Sequence, residues 1–195
     1  MTGRAVDTVR FWHSDVVVGP EGKAGSNYDK KGAAAMCWMY DHPEASAQDY
    51  LDVLRTKMRK NGWAVQYVES DRTPFAYTIG LHDWGLPELL VTGVSPPRAS
   101  RLLNGVARDA LRGLSLTPGS QIKVQAGPLI EIVDVDHPDA HMGWAVESGG
   151  PDVRARQLVW ADGRGRWPWF ATFCDGRRRQ PVLGVRARQL PERRL

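Results

Sequence analysis

With 195 residues, 42% of them hydrophobic and 25% charged, the chain has the make-up of one globular domain with spare length at its ends. No run of about 18 apolar residues occurs, which excludes a membrane-spanning helix, and Met1-Thr-Gly-Arg-Ala-Val-Asp7 lacks the basic-then-apolar order of a secretory signal, so a cytoplasmic location is expected. The formal charge of +4 is unevenly spread: from Val153 onward eleven Arg and no Lys face three acids, for +8, and the preceding part carries −4.

Residues 1–35 read as a flexible extension. Phe11-Trp12 and Val16-Val17-Val18 offer a short docking strand, but Gly19–Asn27 and Lys30–Ala35 are polar or small. The domain is expected over 36–184, with an Arg-rich flexible tail over 185–195. Its first segment, Cys37-Trp-Met-Tyr-Asp-His42-Pro, holds two metal-ligand types, Cys37 and His42, but no second pair to complete a zinc site. A buried apolar segment is the plainer reading. Cys37 and Cys174 are far apart and fit free thiols in a reducing compartment, although the spacing also permits a disulfide.

Ser46 to Asn61 predicts a helix. Ser46 is a natural N-cap, Asp49 suits the positive helix start, and Gly62 ends the run. Tyr50, Leu51, Leu54 and Met58 share its apolar face. Three strands follow, Trp63–Val68, Phe75–Leu81 and Glu88–Gly93, and their short connections predict an antiparallel meander. The loop between the last two places His82 beside Asp83, with Tyr77 and Thr78 close in sequence; a solvated surface histidine is the plainer alternative. A second helix is expected over Pro97–Arg112, capped by Ser95 or Pro96.

Further strands are expected at Gln121–Val124, Leu129–Val135 and Met142–Glu147. Between the last two, Asp134-Val-Asp136-His137-Pro-Asp139-Ala-His141 gathers cation-ligand types without the spacing of a recognisable metal loop. Gly149-Gly-Pro151 reads as a turn. Val153–Trp160 is a strand, Asp162-Gly163 a turn, and Trp167-Pro168-Trp169 a segment barred from a central strand because Pro168 has no N–H. The fold class is α+β: a central, mostly antiparallel sheet, able to curl into a barrel, with two covering helices.

Asn61-Gly-Trp63-Ala-Val, Phe75-Ala-Tyr-Thr-Ile-Gly-Leu81, Pro87-Glu-Leu89, Leu102-Leu-Asn104, Gln157-Leu-Val-Trp160-Ala-Asp162, Trp167-Pro-Trp169 and Gln180-Pro-Val-Leu183 occur in an order and spacing that resembles Domain of Unknown Function family 4262, a bacterial group without assigned biochemistry. Cys37-Trp-Met-Tyr-Asp-His42-Pro resembles a variant in some members. The resemblance implies a domain over roughly Met36–Gly184 and no reaction. Tyr40 stands where some members carry a second Cys, which weakens a metal reading, and Leu86 stands where a His often precedes Pro-Glu-Leu.

Two classes of function remain. The first is a small-molecule site with the sheet as floor and Trp84, Trp160, Trp167 and Trp169 as walls. Thr78 and Gln157 would orient the ligand, and Tyr77, His82, Glu88 and Asp162 would supply acid–base chemistry if they converge. A flavin-binding split barrel belongs to this class, although no phosphate-cradling glycine loop supports it; no cofactor is specified. The second is an interaction module whose Arg-rich C-terminal part binds nucleic acid or an acidic protein. The Trp set is otherwise an ordinary core, and the sequence leaves the oligomeric state open.

Overall fold

The computed structural model describes residues 9–10, 42, 44–70, 73–177 and 180–187. Cys37, the expected strand at Phe11-Trp12 and Val16–Val18, and the final residues from Arg188 lie outside them.

Strand β1 is Val9–Arg10 and helix α1 is Ala47–Asn61. A reciprocal cap starts α1: the Ser46 hydroxyl accepts from the Asp49 N–H at 3.2 Å, and the Asp49 carboxylate accepts from the Ser46 N–H at 2.8 Å. A bond donated by the Ser46 hydroxyl at 2.7 Å, together with that from the Ser46 N–H, holds the Asp49 carboxyl below its ordinary pKa. The helix ends at Gly62, whose φ of 86° lets its N–H turn back to the Met58 carbonyl.

The remaining strands are β2 (Ala64–Val68), β3 (Phe75–Ile79), β4 (Glu88–Thr92), β5 (Gln121–Lys123), β6 (Leu129–Asp134) and β7 (Ala155–Trp160). They form one sheet in the order β1-β2-β3-β4-β7-β6-β5. The β2-β3-β4 meander is antiparallel, as the short connections predict. β4 then pairs with β7 in parallel, Glu88 with Ala155 through Leu90 with Gln157. β7-β6-β5 is antiparallel again. Among the described residues β1 and β5 each have a single neighbour, so the sheet is open and not a barrel.

Strand alternation sorts the core to two sides. Ala76, Leu89, Val91 and Trp160 pack with Leu102, Leu103 and Val106 of α2, Pro96–Leu111. Tyr77, Ile79 and Leu90 pack with Tyr50 and Leu54 of α1 and with Met142 and Ala145. The last two correct one expectation. Met142–Glu147 is not a strand; α3 (Pro138–His141) is followed by α4 (Gly143–Gly149). Met142 and Ala145 are both fully buried, and this three-residue spacing turns one helical face to the sheet. No helix among the described residues is long and apolar enough to cross a membrane.

Residues 180–187 form a strap over β7 and β6. The Gln180 side chain accepts from the Trp160 N–H at 2.9 Å and donates to the Trp160 carbonyl at 2.8 Å. Gln157, fully buried, donates to the Pro181 carbonyl and accepts from the Leu183 N–H, both at 2.7 Å. Arg186, which the sequence reading assigns to the flexible tail, grips buried Glu131 through two bonds of 2.7 and 3.0 Å and lies 3.5 Å over the Trp169 ring. Gly184 sits where any Cβ would run into the Asp134 carbonyl.

Candidate functional site

The site is built where β3 turns into β4. A 3₁₀ turn, Leu81–Trp84, lies between Gly80 and Gly85, whose φ values of 109° and 71° favour glycine. The turn brings Thr78, Gly80 and His82 around Glu88, the first residue of β4, whose side chain is wholly buried. One Glu88 oxygen accepts from the Gly80 N–H at 2.8 Å, the His82 N–H at 3.2 Å and His82 Nδ1 at 2.7 Å. The other accepts from the Thr78 hydroxyl at 2.5 Å, and that hydroxyl accepts from the Leu89 N–H at 2.8 Å. Every short bond from Glu88 is thus to a neighbour fixed by backbone or by sheet register.

A carboxylate only accepts hydrogen bonds, so the bond to Glu88 places a proton on His82 Nδ1. In the neutral ring the lone pair is then on Nε2, which lies 3.3 Å from the Asp83 carboxylate. The imidazole is 19% exposed. Its pKa is raised, first by the hydrogen bond to Glu88; burial opposes this, and the charges of Glu88 and Asp83 add to it. Trp84 stands beside the site, 58% exposed, with its indole N–H donated to the Gly62 carbonyl at 3.1 Å.

This raised pKa sets a sign for stability. A group that binds its proton more tightly when folded stabilises the fold fully below its unfolded pKa, about 6.5 for His. The contribution is lost as pH rises through the higher folded value. Urea unfolding across pH 6 to 9 is expected to show this decline in the native chain, and His82→Asn is expected to remove that part of the slope; equal slopes would refute the pairing.

The other sequence candidates lie elsewhere. Tyr77 is 2% exposed, and its hydroxyl is bonded to the Trp144 backbone rather than to His82; burial pushes its pKa up. Asp162 does not converge with Glu88. Glu88 pairs with Ala155, seven residues before Asp162, which at ~3.3 Å per strand residue separates the two by roughly 20 Å. Asp162 instead ties the loop after β7, accepting from the N–H groups of Arg164, Arg166 and Cys174 at 2.9 Å each and from Arg166 Nε at 2.7 Å. Desolvation works to raise its pKa, but these bonds prevail and hold the carboxyl well below the usual range.

The four Trp expected to wall one pocket are divided. Trp160 is buried in the core, with its indole N–H on the Thr92 carbonyl at 3.0 Å and the Arg98 guanidinium 4.8 Å over its ring. Trp167 and Trp169 stack at 5.2 Å in the loop beyond β7, at the other end of the sheet from Trp84. An open groove of about 400 Å³ beside that loop is lined by Phe170, Phe173, Gln180 and Pro181, and by none of these indoles. Gln157 is engaged by the strap and Thr92.

Among the described residues no three His, Cys, Asp or Glu side chains gather to hold a metal ion. Asp134, first in the acidic run before α4, is paired with Arg156. Arg164 and Arg166 pair with Asp175, and Arg186 with Glu131, so part of the C-terminal positive charge is matched within the chain. Sequence reasoning passed over Gly149, which packs on the His82 ring, because Gly149-Gly-Pro151 carries a turn signal; it also passed over the tethers made by Gln180 and Arg186.

Comparison with known proteins gives one match. A family model described as Domain of unknown function (DUF4262) covers residues 57–173, which include the whole His82–Glu88 arrangement and stop short of the strap. No curated protein and no solved structure matches the chain.

Proposed function

The chain belongs to the DUF4262 family, and we propose that it is a small-molecule-binding domain in which His82 does acid–base work. One observation carries this reading: a wholly buried glutamate holds one histidine, its carboxylate 2.7 Å from Nδ1, on a side chain that is 19% exposed and whose other ring nitrogen lies 3.3 Å from the exposed Asp83 carboxylate. A buried carboxylate is costly to install. Here it fixes the tautomer and stabilises the imidazolium that forms when Nε2 takes a proton. Glu88 touches no ligand in this scheme and is a positioning residue. Trp84, in the same 3₁₀ turn as His82, supplies an exposed aromatic surface anchored on the Gly62 carbonyl.

The open sheet removes the architectural ground for a flavin-binding split barrel. The intramolecular pairing of Arg156, Arg164, Arg166 and Arg186 likewise favours a small ligand over an anionic macromolecule.

The test is a fragment screen by ligand-observed NMR against the native chain, His82→Ala and Trp84→Ala. Fragments are expected that bind the native chain, lose about tenfold or more in affinity in either variant, and bind with a pH midpoint equal to that of His82. If all fragments bind the three proteins alike, or no binding follows His82, the reading fails.

A further inference from the structure

The wall behind His82 is a glycine. A Cβ built on Gly149 would lie 2.9 Å from both Cδ2 and Cε1 of His82 and 2.6 Å from Cγ2 of Val153. Nε2 is not among its nearest atoms, so that Cβ would sit over the face of the imidazole and not at its outer edge. Gly149 is the last residue of α4 and its φ is not positive, so its backbone does not demand glycine; alanine would favour the helix. Room against the ring and against Val153 is the remaining reason for glycine here.

We infer that Gly149 is a positioning residue for His82: its bare backbone lets α4 close over one face of the imidazole, holds Nδ1 on Glu88 and leaves the Nε2 edge, on the Asp83 side, as the approach for a ligand. This rests on the acid–base reading above. Glu88 fixes one edge of the ring and α4 covers a face, so the ring keeps a single rotamer. The charged groups facing the ring are Glu88 from β4 and Asp83 from the 3₁₀ turn; Gly149 and Val153 bring none.

The experiment uses the full chain and no ligand. Because a new Cβ would strike Val153 as well, Val153→Ala is the reference background. NMR titration of His82 in V153A is expected to keep the raised midpoint and a slowly exchanging Nδ1 proton. In V153A/G149A the midpoint is expected to fall toward the ordinary value of about 6.5, and the Nδ1 proton signal to disappear. Gly143→Ala, where nothing lies within 4 Å, is expected to change neither. An unchanged His82 midpoint and proton signal in V153A/G149A overturns the inference. Thermal unfolding gives a second readout should that variant fold poorly: G149A is expected to destabilise V153A but not V153A/H82A, where the ring is gone. Equal destabilisation in both backgrounds also overturns it. Since neither readout involves a ligand, a failed fragment screen leaves this result standing, and a failed G149A result leaves the screen interpretable.

Discussion

Deleting residues 180–195 is expected to leave a chain without a cooperative unfolding transition. The deletion strips buried Gln157 of its bonds to Pro181 and Leu183, both Trp160 peptide groups of the Gln180 amide, and buried Glu131 of Arg186. Each buried polar group left unpaired costs about 1–3 kcal/mol. A buried carboxylate that loses its ion-pair partner costs about 3–5 kcal/mol, reduced here because Gln121 still donates to Glu131 at 3.3 Å and Arg186 is 38% exposed. The sum is comparable to the whole stability of a domain, about 5–15 kcal/mol. Urea unfolding followed by circular dichroism checks this. A truncated chain that keeps the native midpoint would show that the strap merely lies on a finished fold. Gln180→Ala alone is expected to cost roughly 2 kcal/mol by the same accounting.

Glu88→Ala is expected to cost about 3–5 kcal/mol, because it leaves the Gly80 and His82 N–H groups, the His82 ring and the Thr78 hydroxyl around an empty space. For a chain of this length that corresponds to a fall of roughly 10–15 °C in Tm. Glu88→Gln separates packing from charge. Its oxygen still accepts from Gly80 and His82, and its NH₂ can donate to Thr78, so the loss should be about 1–2 kcal/mol. The His82 pKa is nevertheless expected to fall, since the charge that holds its proton is gone. A Glu88→Gln variant with an unchanged His82 midpoint would show that the carboxylate's charge is irrelevant to the ring.

The parts of this fold legible in the sequence are those set by local rules. Ser46, Asp49 and Gly62 bracket α1 as their capping chemistry demands, and short turns force β2-β3-β4 into a meander. The misreading of Met142–Glu147 has a local cause: Met142, Trp144 and Val146 alternate with smaller or polar residues and mimic a strand, whereas burial follows Met142 and Ala145. The parallel join of β4 to β7 rests on a pairing 67 residues apart, from Glu88 to Ala155, which no local pattern announces.

The site was half legible for the same reason. His82, Thr78 and Glu88 are near in sequence, and a tight turn brings them together. Tyr77 and Thr78 are adjacent, but alternation along β3 sends their side chains to different partners, Tyr77 to Trp144 and Thr78 to Glu88. Gly149 approaches from 67 residues further on and could not be assigned to His82 beforehand. Asp162 reads as catalytic and the Trp pair as pocket walls because polar and aromatic residues crowd a short stretch; in the fold the Asp162 carboxylate ties its own loop and the two indoles stack on each other.

The Gln180 amide stands in for a length of missing strand. β4 accompanies β7 for three residue pairs, and beyond them a side chain, not a neighbouring backbone, meets both peptide groups of Trp160. The exchange of the Trp160 amide proton with solvent is therefore governed by departure of the strap and not by fraying of the sheet. That single proton is a built-in reporter of how often the C-terminal segment lets go.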